Sequence, residues 1–491
     1  MDSSVLARDG DGQSVPLTHD LALEVLNDGN KSKIEDLDGE DDVTFDVQMF
    51  KNNTDDKDIE ETVLDEEPVL DEEPVPSTSS SSAKRRWKDM TFQMQHLLVA
   101  KVLMVCTGSW RVKMESLTDT TQKLYKLWSV IMHIYLIMLV ISLYLAIIVD
   151  KQRDLDKLIE AVSIIILCTL ILIKAGICQR RKVTEIVSQI EVAERDYNKW
   201  NTETVNIYDS YAKYTQRLSL FMFLSSGMCG VTIVITKFVV YVQQLNAAAA
   251  GFLNDTIIEK PLPYIIWRPV DETKHYIIAF TLDTFSATIG CSFNSVTQII
   301  FISLMTYISG QLIILQNNFK EYGPKCSNLK NYEEKYAYLR QLILEHKKII
   351  KYVEELDDNM KYLMLMEFTI NSFQITAIFY ELLTFERDAV IVFRLTYLCV
   401  MIMQIFLLAW HANEISLNSI DVSQAIYECE WYDLPYMIKQ YLLIIMVRAQ
   451  KPLSISVGPF FNLTNSTAVT SMKAAYSYLA LLTNSKKRQR S

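Results

Sequence analysis

Long apolar runs recur through the chain after residue 126, and they constrain the fold more than any other feature. A run of about 20 apolar residues can cross the hydrocarbon core of a bilayer as a helix. Every backbone polar group in that core needs an internal partner, so the runs predict an all-α, polytopic membrane protein. Seven transmembrane helices are predicted, at residues 127–149, 158–178, 218–242, 276–315, 363–383, 390–412 and, for the second half of the seventh, 463–483.

The seventh span is predicted to be split. Its first half lies near residues 435–448, and Pro452, Gly458 and Pro459 then interrupt the helix. The second half is polar for a lipid-facing helix, so one of its sides is expected to meet protein or water. Its polar residues are Ser466, Thr467, Thr470, Ser471, Lys473, Ser477 and Thr483.

Basic residues in the connecting segments predict the orientation of the chain. If the N-terminus is cytoplasmic, the inner segments carry 28 Lys and Arg residues and the outer segments carry 11. Because basic residues concentrate in cytoplasmic loops, we expect a cytoplasmic N-terminus and an extracellular C-terminus. The short, predicted extracellular tail 484–491 opposes this assignment with four basic residues. The sequon at Asn254 lies in the long outer loop and is a predicted glycosylation site.

Charge also divides the chain into parts. Residues 1–83 hold 24 Asp and Glu but 5 Lys and Arg, which predicts a disordered, acidic cytoplasmic extension. Residues 84–126 are predicted to form a basic membrane-proximal segment, followed by the seven-helix domain at 127–483. Periodic apolar and charged residues predict that this domain includes cytoplasmic anchor helices within 316–362, and further cytoplasmic anchor helices are expected within 413–448.

Motifs for enzymatic chemistry are absent from the sequence. It contains no glycine-rich phosphate-binding loop, no zinc-type His and Cys spacing and no nucleophile motif, so neither an enzyme nor a metal or other cofactor is predicted. The remaining functional classes are receptor, channel and transporter. Membrane lipid is an expected partner, and nucleic acid is not. The chain lacks the internal repeat and the matched broken helices that are typical of transporters.

Short motifs resemble those of insect odorant receptors, most specifically in the C-terminal third. They are Trp431-Tyr-Asp-Leu-Pro435, Arg448-Ala-Gln-Lys-Pro452 and the stretch from Lys473 to Leu482. Upstream, Trp267-Arg-Pro-Val-Asp271 resembles an outer-loop motif of that family. The resemblance covers most of the chain after the acidic extension, and it favours the variable tuning subunits over the co-receptor.

This resemblance implies a function. Family members are subunits of ligand-gated, non-selective cation channels that bind small volatile, mostly apolar odorants. The chain would form a heterotetramer with the olfactory co-receptor in the plasma membrane of olfactory neuron dendrites, and the second half of helix seven would line the pore. Two alternatives remain open. The first is a G-protein-coupled-type receptor, which would have a cytoplasmic C-terminus. The second is a gustatory-type chemoreceptor, which would differ mainly in its helix-seven motif.

The resemblance also implies a ligand cavity in the outer half of the domain, between helices two, three, four and six. The candidate ligand-binding residues are Ile165, Thr232, Thr236, Phe280, Phe285, Tyr380, Phe393 and Tyr397. On the last helix, Ser477 and Leu481 lie four residues apart and share a face. Ser477, Leu481 and Lys473 are the candidate pore-lining residues. Packing between subunits is the alternative for Leu481, and a position in the inner vestibule or beside an acidic partner is open for Lys473.

Overall fold

The computed structural model describes most of the chain after residue 95. The described residues are 96–111, 118–149, 155–195, 200–249, 261–264, 266–268, 274–329, 331–384 and 390–490. The predicted acidic extension 1–83 and the sequon Asn254 lie outside these residues, and both stay predictions.

Helices make up almost all of the described chain, which confirms the predicted all-α class. In chain order they are α1 Leu98–Cys106, α2 Asp119–Val149, α3 Leu155–Cys178, α4 Arg181–Arg195, α5 Thr202–Ala249, α6 Tyr276–Lys320, α7 Tyr322–Asn328, α8 Tyr332–Thr384, α9 Ile391–Tyr427, α10 Tyr436–Ala449 and α11 Asn465–Arg490. A short 3-10 helix, Trp431–Asp433, precedes α10.

Five of these helices are long and apolar enough to cross a membrane: α2, the Ala161–Cys178 part of α3, the Thr202–Asn246 part of α5, α6 and α9. The predicted spans at 363–383 and 463–483 are also helical, within α8 and α11. They are less apolar than the other five, because α8 carries acidic residues and α11 carries many hydroxyl groups. Helix α11 also continues through most of the predicted tail 484–491.

Helix α6 lies at the centre of the bundle. It packs against α3, α5, α8 and α9, and Phe293, Phe301 and Phe319 on it are fully buried. A helix that is enclosed by other helices is expected to be apolar on every side. At Gly310 a Cβ atom would lie 3.2 Å from Cγ of Tyr211, so the missing side chain lets α5 and α6 approach closely.

The two ends of the bundle differ. The C-terminal ends of α2, α5 and α8 and the N-terminal ends of α3, α6 and α9 lie at one end, which we call the loop end. The short helices α4, α7 and α10 lie at the opposite end, the anchor end. There α8 extends far beyond the predicted span, as one helix of 53 residues. Residues 316–362 and 413–448 form the anchor-end parts of α6 to α10. Lys320 Nζ lies 2.9 Å from Glu428 Oε2, which joins the ends of α6 and α9.

A small hairpin separates α10 from α11, and the sequence did not predict it. Strands β1 (Ser456–Val457) and β2 (Phe461–Asn462) pair antiparallel. Gly458 turns the chain with a φ of 60°, a value that favours glycine, and its N–H donates to the carbonyl of Lys361 at 2.7 Å. The N–H of Ser456 donates to Asp357 Oδ1 at 2.5 Å. The hairpin is therefore fixed to α8.

Candidate ligand-binding cavity and pore-facing helix

A cavity of about 210 Å³ lies in the part of the bundle toward the loop end. Its walls come from α3, α5, α6, α8 and α9, and Tyr264 contributes from the connection before α6. Much of the wall is apolar or carries a free thiol, so a small apolar molecule would be shielded from water there. These wall residues include Ile164, Leu167, Cys168, Ile171, Cys229, Ile233, Cys291, Ile378 and Phe393.

The connection before α6 closes the cavity at its loop end. The N–H of Tyr264 donates to Asp283 Oδ2 at 3.3 Å, and Arg268 forms an ion pair with the other carboxylate oxygen of Asp283. The N–H of Trp267 donates to the carbonyl of Ser142 on α2 at 3.1 Å. Asp283 is 1% exposed, and a buried carboxylate needs such partners. Trp267 and Arg268 of the outer-loop motif therefore fix this part of the connection to α2 and α6.

Two polar bridges join the helices around the cavity. Near the loop end, Arg394 Nε on α9 lies 2.9 Å from Glu381 Oε2 on α8. Further in, the Tyr397 hydroxyl donates to Gln374 Oε1 at 2.9 Å, and Gln374 Nε2 donates to the carbonyl of Ser163 on α3 at 3.2 Å. All five residues line the cavity. The second bridge fixes the orientation of the Gln374 amide, since its oxygen and its nitrogen each have a partner.

An ion pair between α3 and α8 forms the floor of the cavity. Lys174 Nζ lies 2.7 Å from Glu367 Oε1, and the two side chains are 2% and 3% exposed. Gln298 on α6 donates its amide hydrogen to the same carboxylate oxygen. Asn294 and Asn371 line the cavity beside this group. Buried charges are tolerated when they are paired and hydrogen-bonded, as these are. The contacts of Glu367 with Lys174 and Gln298 join α3, α6 and α8 at the floor of the cavity.

Two of the eight predicted ligand-binding residues line this cavity. They are Phe393 and Tyr397, one turn apart on α9, and their rings stack with centroids 5.9 Å apart. The structure therefore brings these two together at a place where a ligand can fit. Contact with a ligand stays a prediction for both.

Three predicted residues on α3 and α5 lie beside the cavity, not in its described wall. Thr232 donates to the carbonyl of Cys229, and Thr236 donates to the carbonyl of Thr232, so both hydroxyls are used within their own helix. Ile165 is buried in an apolar cluster with Leu139 of α2. The neighbouring Ile233, one position from Thr232, faces the cavity instead.

The other three predicted residues lie on α6 and α8, also outside the described wall. Phe280 packs against Tyr276 on its own helix, with ring centroids 5.9 Å apart. Phe285 is exposed on the bundle surface and contacts Tyr135 edge-on at 5.6 Å. Tyr380 is half-buried near the loop end of α8. Their roles as ligand contacts stay untested predictions.

The polar residues of the cavity floor and Gln374 were not among the predicted site residues. Lys174 gave a signal, because a lysine inside a predicted span marks a functional or paired site. Its partner Glu367 lies 193 residues away, and a single sequence does not show that pairing. The cavity also uses α8, the fifth predicted span, in addition to helices two, three, four and six.

Helix α11 packs on α8 with one of its faces. Ser471 Oγ lies 2.6 Å from Ser372 Oγ, and the Thr376 hydroxyl donates to the carbonyl of Ala475 at 3.1 Å. Both contacts are buried. The hydroxyl groups that made this segment polar are therefore partly used for helix packing.

The three predicted pore-lining residues share the opposite face of α11. Lys473, Ser477 and Leu481 follow one another at intervals of four residues, and all are exposed in the single chain. Tyr478 instead stacks on Phe373 of α8, with ring centroids 5.1 Å apart. The structure thus separates a packed face from an exposed face; a role in lining a pore stays a prediction.

A second buried polar cluster lies beside α1, outside the cavity. Nε2–H of His96 donates to the carbonyl of Ser303 at 2.9 Å, and the backbone N–H of His96 donates to Glu194 Oε1 at 3.1 Å. Tyr208 donates its hydroxyl hydrogen to the same carboxylate oxygen. Burial lowers the pKa of His96 to about 4, and burial also raises the pKa of Glu194. The neutral imidazole therefore links the start of α1 to α6.

The fold and the cavity define a class: a multi-pass, all-α membrane protein with an internal, largely apolar cavity. The family profile described as 7tm Odorant receptor matches residues 154–476, more than half of the chain. The chain belongs to this family of receptors, which confirms the resemblance carried by its motifs.

Individual relatives agree with this assignment. The chain is 32% identical over 226 residues to Odorant receptor 10 of Aedes albopictus, covering 45% of this chain and 60% of that protein. It is 26% identical over 228 residues to Odorant receptor Or2 of Anopheles gambiae, again covering 45% of this chain and 60% of that protein. The alignments thus span less than two thirds of either relative.

A solved structure has the same fold. The insect olfactory receptor OR5 from Machilis hrabei, in complex with eugenol, matches with a TM-score of 0.64 at 15% identity. The match covers 80% of this chain and 99% of that chain. At this identity the similarity concerns the fold alone.

Proposed function

We propose that this chain is the odorant-binding tuning subunit of a ligand-gated, non-selective cation channel. It binds a small volatile odorant beside Phe393 and Tyr397, and it opens a pore in a heterotetramer with the olfactory co-receptor. It acts in the plasma membrane of olfactory sensory neuron dendrites, with its N-terminus inside and its C-terminus outside. The observation that carries the proposal is a largely apolar cavity between the helices in a chain of the odorant receptor family.

Burial of apolar surface supplies the binding energy for such a ligand, at about 25 cal/mol per Å². The cavity of about 210 Å³ suits a small molecule, and the solved OR5 receptor is in complex with one, eugenol. The aromatic and aliphatic wall then selects ligands by shape. The Tyr397–Gln374–Ser163 bridge contributes a fixed polar edge within that wall.

Helix α8 supports a direct coupling between odorant and pore. Asn371 and Gln374 on α8 line the cavity, whereas the adjacent Ser372 and Thr376 hold α11. A ligand that displaces the cavity side of α8 therefore also displaces the helix that carries the proposed pore face. A ligand shifts such an equilibrium by the difference between its affinities for the closed and open states.

The exposed face of α11 suits the axis of an assembled channel. Leu481 supplies an apolar constriction, and the Ser477 hydroxyl supplies a polar position one turn away. Lys473 lies two turns from Leu481 toward the joint with α10. A lone ammonium group would repel cations in a narrow pore, so we place Lys473 in a wider vestibule at the anchor end.

Co-expression of this chain with the insect olfactory co-receptor, with currents recorded across an odorant panel, tests the proposal. We expect an odorant-evoked cation current that requires both chains and persists when G proteins are inhibited. Silence with surface delivery proven by labelling, or a current abolished by G-protein inhibition, contradicts the proposal. A C-terminal tag that is stained only after permeabilisation would favour the G-protein-coupled-type alternative.

A matched pair of cysteine substitutions tests the pore face. A charged thiol reagent should alter the current of the Ser477→Cys channel, because that side chain is exposed. Ala475→Cys is the control, since Ala475 is 1% exposed against α8. Modification of the Ala475→Cys channel alone would show that the pore is on another face.

A further inference from the structure

Two buried acceptor oxygens have no hydrogen-bond donor among the described residues: one belongs to Glu367, which lines the cavity, and the other to Gln298, which contacts Glu367. Glu367 uses Oε1 to accept hydrogen bonds from Lys174 and Gln298. Its other oxygen, Oε2, has no hydrogen-bond partner among the described residues, and neither has Oε1 of Gln298. The two side chains are 2% and 1% exposed, so bulk water does not supply the missing donors.

The chemistry of these oxygens restricts what can satisfy them. The carboxylate in an ion pair accepts hydrogen bonds and cannot donate one. The amide nitrogen of Gln298 donates to Glu367, and the amide oxygen of Gln298 has no partner among the described residues. A buried charged acceptor without a donor carries a desolvation cost that a suitable donor removes. An ether, ester or ketone oxygen would instead place its lone pairs against those of Glu367.

Other polar side chains also line the cavity, including Lys237, Tyr264 and Gln404. Arg394 and Glu381 pair with each other near the loop end. The amides of Asn294 and Asn371 can donate as well as accept, so they suit either kind of ligand. Among the lining side chains that the structure describes, Glu367 is the one with a buried acceptor oxygen that has no hydrogen-bond partner, and this oxygen favours a ligand that donates.

We propose that the preferred odorant carries an O–H or N–H donor at one end, which binds at Glu367 and Gln298, and an apolar body that extends toward Phe393. The donor preference rests on the proposed function, in which this cavity is the odorant site. A single enclosed water molecule that bridges the two oxygens is the competing occupant. Such a water would satisfy both oxygens, so the odorant would gain nothing from carrying a hydrogen-bond donor.

Constitutional isomers that differ in donor ability test this preference on the unaltered chain. Suitable pairs are n-octanol with heptyl methyl ether, and para-ethylphenol with para-methylanisole. With the co-receptor present, we expect the half-maximal concentration of the alcohol or phenol to be about tenfold lower or more, the size of one hydrogen bond to a charged group. Equal potency within the pairs would overturn the donor preference while leaving the odorant-gated channel intact.

A double substitution, Lys174→Met with Glu367→Met, removes the acceptor without leaving an unpaired buried charge. We expect the alcohols and phenols to lose their advantage, so that both isomers act at the concentration of the ether. An undiminished advantage would contradict a role for Glu367. If the double variant is not delivered to the surface, the isomer comparison on the unaltered chain still decides the question. Silence of the surface-delivered, unaltered chain to every odorant would instead overturn the proposed function itself.

Discussion

Lys174 and Glu367 form a buried ion pair across the cavity floor, with 2.7 Å between Nζ and Oε1. The two residues are 193 positions apart and lie on α3 and α8. Helix α8 also holds α11 through Ser372 and Thr376. Glu367 of the pair therefore lies on the helix that borders both the ligand cavity and the helix proposed to line the pore.

Breaking one half of this pair should cost more than replacing both halves. Lys174→Met leaves a buried carboxylate without its counter-charge, which typically costs about 3–5 kcal/mol. We expect a clear fall in the melting temperature of the detergent-solubilised protein, followed by fluorescence size-exclusion. The Lys174→Met and Glu367→Met double variant should recover most of that loss. A double variant that is less stable than the single one would contradict this account of the floor.

The turn between β1 and β2 should require glycine at position 458. Alanine there would have to keep a φ of 60°, at a cost of about 1–2 kcal/mol, and its Cβ would lie 2.9 Å from Leu365 Cδ2. We expect Gly458→Ala to lower the melting temperature. Gly176→Ala is the control, because nothing lies within 4 Å of a Cβ atom there and alanine favours the helix. Equal stability of the two variants would argue against a constrained turn.

The buried His96 should make the chain sensitive to acid. Its pKa is about 4 in the folded chain against an ordinary value of 6.5, so the unfolded state binds more protons between these values. The stability from the neutral imidazole is complete above pH 6.5 and is lost as the pH falls through 4. His96→Gln keeps a donor for Ser303 and does not titrate.

Melting temperatures measured between neutral pH and pH 5 should therefore fall more for the unaltered chain than for His96→Gln, because the unaltered chain loses a free energy of unfolding on the order of 2 kcal/mol over this range. Glu194 affects the pH dependence of stability in the unaltered chain and in the His96→Gln variant alike, so the difference between the two profiles reports the titration of His96. Parallel pH profiles would mean that the imidazole is not held neutral by burial.

Glycan attachment should report the orientation of the chain. Asn254 is predicted to be extracellular, so a glycosidase should increase the gel mobility of the unaltered chain and leave that of Asn254→Gln unchanged. Asn30, in the predicted cytoplasmic extension, also begins a sequon and serves as the control. Loss of the glycan in Asn30→Gln instead would reverse the assigned topology.

The apolar patterning of the sequence was enough to predict the helices. It predicted the second half of the split seventh helix at 463–483, and α11 begins at Asn465. It placed the start of the first span at residue 127, but α2 begins at Asp119, because polar turns that project from a membrane carry no hydropathy signal. The hairpin around Gly458 was not predicted, because its strands have two residues each and depend on contacts with α8.

The cavity could be predicted only in part. Phe393 and Tyr397 are one turn apart and face it together, as their spacing allowed. For Thr232 the prediction was one position away from the lining residue Ile233, since the rotation of α5 is fixed by packing and not by its own sequence. The polar floor depends on a contact between distant residues, which periodicity within one helix does not reveal.

We propose that an odorant bound in this cavity opens the channel, and two phenylalanines of α6 and α9 allow a direct test. Phe393→Ala removes a ring from the cavity wall, whereas Phe280→Ala removes a ring of the same size that lies outside the described wall. A lost ring contact is worth about 1.5–3 kcal/mol, and each 1.4 kcal/mol is about tenfold in affinity.

The decisive measurement is the odorant concentration–response of both variants, co-expressed with the co-receptor and matched for surface delivery. We predict that Phe393→Ala raises the half-maximal odorant concentration about tenfold or more, and that Phe280→Ala leaves it unchanged. An unchanged response in Phe393→Ala with a shifted response in Phe280→Ala would contradict the assignment of this cavity as the odorant site.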